Sequence, residues 1–545
     1  MPAPLFLIGF MAAGKTTVGR AVAAATGRRF LDLDDVIAAS GESVAALVAK
    51  NEAEFRRREG AALAAVIASA SDGPVIATGG GAAVFGDNLE RMRIAGVVIA
   101  LGVDVREAER RAQGGPPRPL LGSAATLAAA RAPAYRRAHA VVDTTGRSIA
   151  EVVTAVQAVE RTWQRLPAAR RDATILALGE RSYPVTVDPG TIDRGLLHAA
   201  LGSPTKVAVI TDRNVAKHWL APTLAAIAGA EVEGAGVPPA PEIEIAVIEL
   251  EPGEASKAFA VYERVCSELV ASGLDRSSVI VALGGGVVGD LAGFVAATLF
   301  RGIPFIQIPT TIVAMTDAAI GGKTAVDLPA GKNLVGAFWQ PRLVACGLAT
   351  LATLPARERR AGFGELWKYA LLDGADLWRG VAACAPWAAG SDQAPPPAEI
   401  RDVIDRSISY KAAIVGRDER EQTGHRALLN LGHTIGHAIE SAADGELLHG
   451  EAVGLGLIAA CRISTAVAGT RSELAGEVTD ALRATGLPYD LGRWLTDDVL
   501  ARVHVDKKRI GANLRFIVVR EVGVCEVAEI AVTEVRRILR PDPSP

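Results

Sequence analysis

Short apolar runs alternate with amphipathic stretches over the first 165 residues of the chain. The runs are Leu5 to Ile8, Val75 to Thr78, Val97 to Leu101 and Val141 to Asp143. Apolar runs of strand length that alternate with helix-length amphipathic segments are typical of a parallel sheet whose strands are joined by crossover helices. The pattern predicts an α/β domain over residues 1–165.

The same alternation begins again after a charged stretch, Arg161 to Arg171, which contains a proline and has no sustained apolar period. We therefore predict a linker at 166–173 and a second domain over 174–545. Four further apolar runs predict a second parallel sheet: Val207 to Thr211, Ile245 to Ile248, Val279 to Leu283 and Phe305 to Ile308. Beyond about residue 350 Ala, Leu, Glu and Arg dominate, so we expect an α/β half over 174–345 and a mostly helical half over 346–545. Arg515 to Arg520 is expected to be an isolated strand or hairpin arm.

The segment Val279 to Phe300 is apolar enough to be considered as a membrane span, but it contains Asp290 and several glycines. A central Asp costs roughly 2.5–3.5 kcal/mol on insertion, and glycines weaken a helix. A buried strand, a turn and a helix explain this segment better. We expect no contact with a membrane.

Composition narrows the class of protein. The chain has 545 residues, 50% of them apolar, and a net charge of -3, so it offers no polycationic surface for nucleic acid. Its five cysteines show no CxxC spacing, and the first residues lack the charged leader and apolar core of a signal peptide. These features predict a reduced, cytoplasmic protein.

A complete Walker A loop, Gly9 to Thr16, follows the first predicted strand and opens a helix. In such a loop the backbone amides and the helix N-terminus cradle phosphates, Lys15 reaches the terminal phosphates and Thr16 binds magnesium. A chance glycine-rich turn is the alternative. The loop predicts a nucleoside triphosphate with Mg2+ as the ligand, held by Gly9, Ala12, Ala13, Gly14, Lys15, Thr16 and Thr17.

Five further motifs follow the Walker loop in a fixed order. They are Asp32-Leu33-Asp34, Phe55 to Glu59, Gly79-Gly80-Gly81, Arg118 to Leu121 and Tyr135-Arg136-Arg137. Each alone has an ordinary explanation as a helix cap, a solvated face or a turn. In this order over about 165 residues they resemble shikimate kinase. A gluconate-type kinase shares the Walker loop but not this set.

The resemblance to shikimate kinase implies a role for each motif. Asp34 would accept or orient the substrate hydroxyl, and Asp32 would hold magnesium through water. The shikimate carboxylate would be clamped by two arginines, Arg56 and Arg136, although which of the arginines 56–58 meets it stays open. Arg118 would stabilise the transferring phosphoryl group from a lid. Backbone approach at Gly80 and an ATP contact from Arg111 complete the set.

Three of the eight histidines lie close together in the second domain, in Asn430 to His437 and in His449-Gly450-Glu451. Imidazoles and a carboxylate are the usual ligands of a catalytic zinc, and His433 and His437 would share one face of a helix. Capped or core histidines are the alternative. A zinc protease needs a glutamate directly after the first histidine, and Thr434 stands there instead.

A second glycine-rich segment, Gly284 to Asp290, fits the GxGxxG template between an apolar run and a helix. The template alone is weak, but this context suits a dinucleotide pyrophosphate. Asp212, at the end of an earlier predicted strand, would then bind the adenosine ribose.

The histidine segment, Gly364 to Tyr369, Arg426 with Asn430, and Gly321 to Asp327 together resemble 3-dehydroquinate synthase. The resemblance implies a metal, zinc or cobalt, on Glu365, His433 and His449, with His437 handling protons. It also makes the dinucleotide NAD+. The implied contacts are Asp212, Gly284, Gly285, Gly286, Val287, Gly289, Asp290, Thr310, Thr311, Lys332 and Thr353.

That family converts 3-deoxy-arabino-heptulosonate 7-phosphate to 3-dehydroquinate and phosphate, and it regenerates NAD+ within each turnover. Such a substrate needs cations for its phosphate and carboxylate. The resemblance places them, with the hydroxyl contacts, at Arg301, Asp317, Lys323, Asn333, Lys368, Lys411, Arg426, Asn430 and Lys507. Arg301 would reach a neighbouring subunit, which implies a homodimer. The role of Glu421 stays open.

Two other functions share parts of this pattern. A metal-dependent polyol dehydrogenase also combines NAD with a histidine-held metal, but it releases NADH and has no need of phosphate-binding lysines. A regulator fused from one active and one inactive half would have lost Lys15, Asp34, Glu365 or a histidine, and all are present. The sequence therefore predicts a bifunctional enzyme of the route to chorismate.

Overall fold

A computed structural model of the chain describes residues 2–39, 44–113, 124–190, 192–228, 243–390, 396–503, 509–510 and 513–540. The chain divides into two compact units. The first unit comprises Met1–Thr186 and Ala412–Arg417, and the second comprises Val187–Lys411 and Asp418–Pro545. Two residues with predicted roles, Arg118 and Lys507, lie outside the described residues.

The first unit contains a five-stranded parallel sheet in the order β2-β3-β1-β4-β5. Its strands are β1 Leu5–Gly9, β2 Phe30–Asp32, β3 Val75–Ala77, β4 Val97–Gly102 and β5 Ala140–Asp143. Its helices are α1 Lys15–Thr26, α2 Leu33–Ala38, α3 Val44–Lys50, α4 Glu52–Ala68, α5 Asn88–Ala95, α6 Val105–Ala112, α7 Ala124–Arg136 and α8 Ile149–Gln164. The predicted α/β architecture is confirmed.

Both faces of this sheet are buried, which explains why its strands are continuous apolar runs. Leu5 and Leu7 of β1 pack into a core with α1 and α8, whereas Phe6 and Ile8 pack into a second core with α4 and α5. Successive strand side chains point to opposite faces, so an apolar residue is needed at every position.

An antiparallel pair follows, formed by β6 Thr174–Leu176 and β7 Tyr183–Asp188. The second unit then contains five parallel strands in the order β14-β11-β10-β8-β9. They are β8 Val207–Asp212, β9 Ile245–Leu250, β10 Val279–Gly284, β11 Phe305–Pro309 and β14 Val344–Gly347. The helices of this half are α9 Arg194–Leu201, α10 Arg213–Val215, α11 Ala221–Ala228, α12 Phe259–Ala271 and α13 Gly286–Thr298.

A hairpin of β12 Lys323–Leu328 and β13 Gly331–Phe338 was not among the predicted elements. The rest of the second unit is mostly helical, as predicted. Its helices are α14 Ala356–Asp373, α15 Ala375–Ala389, α16 Ile400–Arg417 as far as Lys411, α17 His433–Ala442, α18 His449–Ala468, α19 Leu474–Thr485, α20 Leu491–Trp494, α21 Asp497–Arg502 and α22 Val532–Leu539. The predicted late strand lies within β16 Asn513–Glu521, between β15 Arg509–Ile510 and β17 Val524–Ala531.

Among the described helices, α18 is the one long and apolar enough to cross a membrane. Its mean hydropathy is 1.5, and 72% of the apolar window is buried inside the protein. It is therefore a core helix. The segment Val279 to Phe300 forms β10, a turn and α13, as predicted.

Candidate active sites

The Walker loop lies between β1 and the N-terminus of α1. Gly9 has a φ of +135°, and a Cβ there would lie 2.4 Å from the carbonyl oxygen of Leu101, so only glycine fits. Gly14 caps α1 in the left-handed conformation. Lys15 Nζ donates to the carbonyl oxygens of Gly9 at 3.0 Å and Phe10 at 2.9 Å. The ammonium group therefore lies over the loop that would hold phosphates.

The predicted magnesium residues are adjacent at this loop. Thr16 Oγ1 donates to Asp32 Oδ2 at 2.8 Å, and Asp32 Oδ1 accepts from the amide of Asp34 at 3.1 Å. Arg111 donates to Thr144 and reaches the carbonyl oxygen of Ala12 at 3.5 Å. The structure therefore brings Arg111 to the Walker loop, beside the place expected for ATP.

Two carboxylates meet above Gly79. A Cβ on this glycine would lie 2.7 Å from Glu59 Oε1 and 3.1 Å from Asp34 Oδ1. Both oxygens are buried and accept no hydrogen bond from the described residues. Burial, with Asp32 nearby, raises the pKa of Asp34, and burial raises the pKa of Glu59 although Arg56 opposes it. Buried acceptors of this kind suit a ligand that brings hydroxyl donors.

Arg56 is the arginine of its run that faces this site. Its guanidinium donates to Glu59 at 2.8 Å and lies where a Cβ on Gly81 would be. Arg57 and Arg58 instead pair with Glu54, and both are more exposed than Arg56. The structure thus separates Arg56 from its two neighbours.

Arg131, which the sequence analysis did not single out, is also at this site. It is 9% exposed, and its Nη1 lies 3.3 Å from the position of a Cβ on Gly80. Tyr135, one turn later on α7, donates its hydroxyl to the carbonyl oxygen of Gly80. Arg136 is half-buried at the end of the same helix. The sequence signal that could have marked Arg131 is its position four residues, or about one helical turn, before Tyr135.

In the second unit the glycine-rich segment lies at a switch point of the sheet. From β8 the chain continues to β9, at one edge of the sheet. From β10, which is next to β8, it continues to β11 and β14 in the opposite direction across the sheet. Ligands of open α/β sheets bind outside the carboxyl ends of strands at such a point. Gly284 ends β10 and Gly286 begins α13, so the α13 N-terminus points amides into this crevice.

The other predicted cofactor residues line the same edge. The amide of Thr310 donates to Gly284 at 3.0 Å, and the Thr311 side chain lies 3.2 Å from the position of a Cβ on Gly285. Asp212 ends β8, and its Oδ1 accepts amides of α10 at 2.8 and 3.1 Å. Thr353 accepts from the indole of Trp219 at 2.7 Å. Asp212 is thus a helix cap as well as a candidate for ribose.

A buried lysine that the sequence analysis missed connects two predicted residues. Lys257 is 3% exposed, and its Nζ donates to Asp290 at 2.9 Å and to Asn333 Oδ1 at 2.5 Å. Asn333 has a φ of +57°, and its amide donates to Asp327 at 2.6 Å. Because its partners are 33 and 76 residues away in sequence, no local motif marks Lys257.

The predicted metal ligands meet where three helices end or cross. Glu365 lies in α14, His433 begins α17 and His449 begins α18. His449 Nε2 is 3.2 Å and His433 Nε2 is 3.4 Å from Glu365 Oε1. Nitrogen atoms of His433, His437 and His449 all lie within 4.8 Å of one another. The structure therefore brings His437 as close as the predicted ligands.

The far nitrogens of two of these rings have acceptors. His433 Nδ1 lies 3.1 Å from the carbonyl oxygen of Leu431, and His449 Nδ1 lies 3.0 Å from Glu440 Oε2. With a metal bound, such contacts would place the proton on Nδ1 and leave Nε2 as the metal-binding atom. Burial would raise the pKa of Glu365, but Lys368 and His433 hold it well below its usual value. The donor set therefore fits a divalent metal.

Glycines bring two of these helices into backbone contact. A Cβ on Gly364 would lie 1.9 Å from the carbonyl oxygen of Gly450, and one on Gly450 would lie 1.8 Å from that of Ala361. Gly364 precedes Glu365 and Gly450 follows His449. The close crossing of α14 and α18 therefore sets the distance between the two candidate ligands.

Predicted substrate residues surround Asp317. Its Oδ1 accepts from Lys411 at 2.9 Å and from Tyr369 at 2.8 Å, and lies 3.5 Å from Lys368 Nζ. Burial lowers the pKa of Lys411 to about 8. Lys368 also pairs with Glu365 at 2.5 Å, so this cationic group is continuous with the candidate metal ligands.

A second cationic group lies at the hairpin and the loop before α17. Lys323 Nζ pairs with Glu421 at 2.5 Å, and Arg426 Nε lies 3.6 Å from the same carboxylate oxygen. Arg426 is 2% exposed. Glu421 therefore lies between two cations that were predicted to bind substrate.

Two other predicted substrate residues lie outside this contact: Arg301 is exposed and Asn430 is half-buried.

Family models match three segments of the chain. They are Shikimate kinase over residues 11–160, 3-dehydroquinate synthase N-terminal over 247–361 and 3-dehydroquinate synthase C-terminal over 362–509. The first match covers the Walker loop from Met11 onwards and the two-carboxylate site. The other two cover the part of the dinucleotide crevice after β8, the histidines and most of the cationic groups.

Individual relatives agree with these matches. A 3-dehydroquinate synthase of Caulobacter vibrioides (strain NA1000 / CB15N) is 43% identical over 366 residues, which cover 65% of this chain and 94% of the relative. One of Bordetella pertussis (strain Tohama I / ATCC BAA-589 / NCTC 13251) is 42% identical over 362 residues, with coverage of 65% and 94%.

A solved structure is also similar. ValA, a 2-epi-5-epi-valiolone synthase from Streptomyces hygroscopicus subsp. jinggangensis 5008 with NAD+ and Zn2+ bound, is 27% identical with a TM-score of 0.59. The match covers 67% of this chain and 97% of that one. The predicted fold and both predicted activities are confirmed. The chain is a metabolic enzyme of aromatic amino acid biosynthesis: it belongs to the 3-dehydroquinate synthase family and carries a shikimate kinase domain fused to the synthase.

Proposed function

We propose that the synthase binds NAD+ at the carboxyl ends of β8 and β10 and a divalent metal, zinc or cobalt, on Glu365, His433 and His449. The observation that carries this proposal is the convergence of both imidazole Nε2 atoms on one carboxylate oxygen, at 3.2 and 3.4 Å. When bound, the metal would polarise the substrate hydroxyl that is to be oxidised. ValA, with NAD+ and Zn2+ bound, supports the same pair of cofactors here.

The substrate proposed for this site is 3-deoxy-arabino-heptulosonate 7-phosphate, which is converted to 3-dehydroquinate and phosphate. Lys368 and Lys411 hold Asp317 in place for a hydroxyl of the substrate. Lys323 and Arg426 would take an anionic group of the substrate in place of Glu421, since both already face that carboxylate. His437 is the exposed member of the histidine cluster, and we assign it the relay of a proton.

In the kinase domain we propose ATP with Mg2+ at the Walker loop and shikimate above Gly79 and Gly80. Asp34 and Glu59 would accept hydroxyl hydrogen bonds through their unpaired oxygens. Arg56 and Arg131 would bind the carboxylate, because both guanidinium groups reach this glycine turn. The predicted carboxylate contact of Arg136 stays a prediction.

Three further predictions remain proposals. The domain boundaries at 165 and 174 follow from the charged stretch between them. Cytoplasmic location fits the five cysteines, all of which lie among the described residues and are free. A homodimer through the synthase is expected if exposed Arg301 reaches a partner subunit.

Turnover of the seven-carbon phosphate with substoichiometric NAD+, with and without a chelator, tests the synthase proposal. Equal amounts of phosphate and dehydroquinate, no accumulated NADH and loss of activity on chelation are expected. Stoichiometric NADH would instead indicate a polyol dehydrogenase, and full activity after complete metal removal would refute the metal site.

Paired variants test the kinase proposal. Loss of a charge-assisted hydrogen bond costs roughly 1.5–3 kcal/mol, so Arg131→Met should raise the KM for shikimate by about 10- to 100-fold, with a smaller effect on the KM for ATP. Arg136→Met is the matched control. If the shikimate KM rose for Arg136→Met and not for Arg131→Met, Arg136 would be the residue that binds the shikimate carboxylate.

A further inference from the structure

Glu440 lies between the candidate metal ligands and the hairpin. It is on α17, seven residues after His433 and three after His437, so it shares a helix face with both. Its Oε2 lies 3.0 Å from His449 Nδ1, and its Oε1 accepts from Lys332 Nζ at 2.9 Å. Each oxygen of one carboxylate therefore has a different cationic or hydrogen-bonding partner.

The first contact fixes the His449 ring. Its Nε2 faces Glu365 at 3.2 Å while its Nδ1 faces Glu440, so the imidazole is held from both ends. His433, by contrast, has a backbone carbonyl oxygen at its Nδ1. An acceptor on the far nitrogen fixes the tautomer and raises the basicity of a metal-binding histidine. For His449 that acceptor is a side chain, and mutation can remove it.

The second contact extends the network to the dinucleotide side of the site. Lys332 lies on β13, next to Asn333, whose side chain accepts from the buried Lys257. Lys257 in turn donates to Asp290 of α13, the helix that begins at the dinucleotide crevice. Two sets of polar contacts, joined by the peptide bond between Lys332 and Asn333, therefore connect His449 and Glu440 with this helix.

We propose that Glu440 is a positioning residue that orients His449 for the metal and holds Lys332, and with it the hairpin, for the dinucleotide. This inference rests on the proposed metal and NAD+ sites. Glu440 acts through His449 and Lys332, and we assign it no contact with the reacting atoms. Because one carboxylate serves both partners, its loss should weaken the binding of both cofactors.

Two substitutions separate the two contacts. Glu440→Gln keeps an oxygen that can accept from His449 but has no charge for Lys332, whereas Glu440→Ala has neither. Removal of an outer-shell partner typically costs 10- to 100-fold in metal affinity. We expect Glu440→Ala to lose Zn2+ at chelator concentrations about 10- to 100-fold lower than those the parent protein withstands. Glu440→Gln should lose Zn2+ at concentrations between those two. With Zn2+ saturating, both variants should bind NAD+ more weakly.

The experiment measures Zn2+ retention against a graded chelator and NAD+ affinity by calorimetry, on the full chain. Glu446→Gln is the matched control, since it removes the same charge from the exposed turn after α17 and should change neither affinity. Lys332→Met should weaken NAD+ binding, and adding Glu440→Gln to it should weaken NAD+ binding little further.

A Glu365→Ala variant separates failure of the inference from failure of the proposed site. If Glu365→Ala retains Zn2+ as the parent does, the metal site itself is wrong. If Glu365→Ala loses the metal while Glu440→Ala matches the parent in both affinities, the role of Glu440 is refuted. A lower unfolding temperature of Glu440→Ala with unchanged affinities would show a structural role alone and would also refute it.

Discussion

The crossing of α14 and α18 makes a sharp prediction about the synthase, because backbone meets backbone there. A Cβ on Gly364 would lie 1.9 Å from the Gly450 carbonyl oxygen, whereas real Cβ contacts are almost never under 3.0 Å. An alanine at Gly364 therefore requires the two helices to separate by at least 3.0 − 1.9 = 1.1 Å. No side chain can rotate away to relieve the contact.

Two effects should follow from Gly364→Ala, and likewise from Gly450→Ala. Overpacking of a core costs roughly 1–3 kcal/mol of unfolding free energy. The separation also moves Glu365 away from His449, which are 3.2 Å apart. A displacement of about 1 Å at a reacting centre can cost on the order of 10²-fold in rate. We therefore expect dehydroquinate formation to fall by about that factor and Zn2+ to be lost more readily.

Urea denaturation, steady-state turnover and metal content of the purified full chain test this prediction. The control is Gly476→Ala in α19, where a Cβ would meet nothing within 4 Å. That change should stabilise the protein by about 0.4–1 kcal/mol and leave turnover unchanged. If Gly364→Ala matched the parent in stability, turnover and metal content, the close crossing would not be what positions the ligands.

Three other predictions concern the remaining parts of the chain. Lys15→Met should reduce shikimate phosphorylation by at least about 10²-fold, the scale of removing one group that stabilises a transition state, as a coupled ATPase assay would show; a smaller loss would contradict its role. Glu160→Ala should lower the free energy of unfolding, measured by urea denaturation, by roughly 3–5 kcal/mol, because it leaves Arg28 buried without its charged partner. The two side chains are each 7% exposed and 2.5 Å apart. A loss under about 1 kcal/mol would show that the pair behaves like an exposed ion pair. Burial lowers the pKa of Lys411 to about 8, so its positive charge is lost as pH rises through 8, and kcat/KM for the anionic substrate should fall over that range. Lys411→Met should be impaired at every pH and should lack this fall in kcat/KM. The same fall in Lys411→Met would exclude Lys411 as its source.

The two parallel sheets could be predicted because their strands are buried on both faces. Each strand is then an unbroken apolar run, which is visible in the sequence without any knowledge of its neighbours. The hairpin of β12 and β13 gives no such signal. β13 is mostly exposed, with Lys332 and Asn333 at its start, and its pairing with β12 is a tertiary fact that local periodicity does not contain.

The residues of the candidate sites differ in the same way: some belong to a local sequence pattern, and others are brought together only by the fold. Lys15 and the three histidines belong to compact motifs, so the sequence alone could mark them as candidate site residues. Lys257 and Glu440 could not be inferred, since each acts through residues far away in the chain: Lys257 through Asn333, 76 residues later, and Glu440 through Lys332, 108 residues earlier. What the sequence lacks is the placement of the hairpin, which brings these pairs together.

The arginines of α7 show a different limit, which lies in helix phase. Arg131 and Tyr135 are four residues apart and share the face that meets Gly80. Arg136 is five residues after Arg131, so at about 100° per residue it points roughly 140° away from it. The motif Tyr135-Arg136-Arg137 drew attention to the charge next to the tyrosine, whereas the arginine beside Gly80 is the one a turn earlier. A sequence match locates the helix, but the packing of Tyr135 against Gly80 decides which arginine lies next to that glycine.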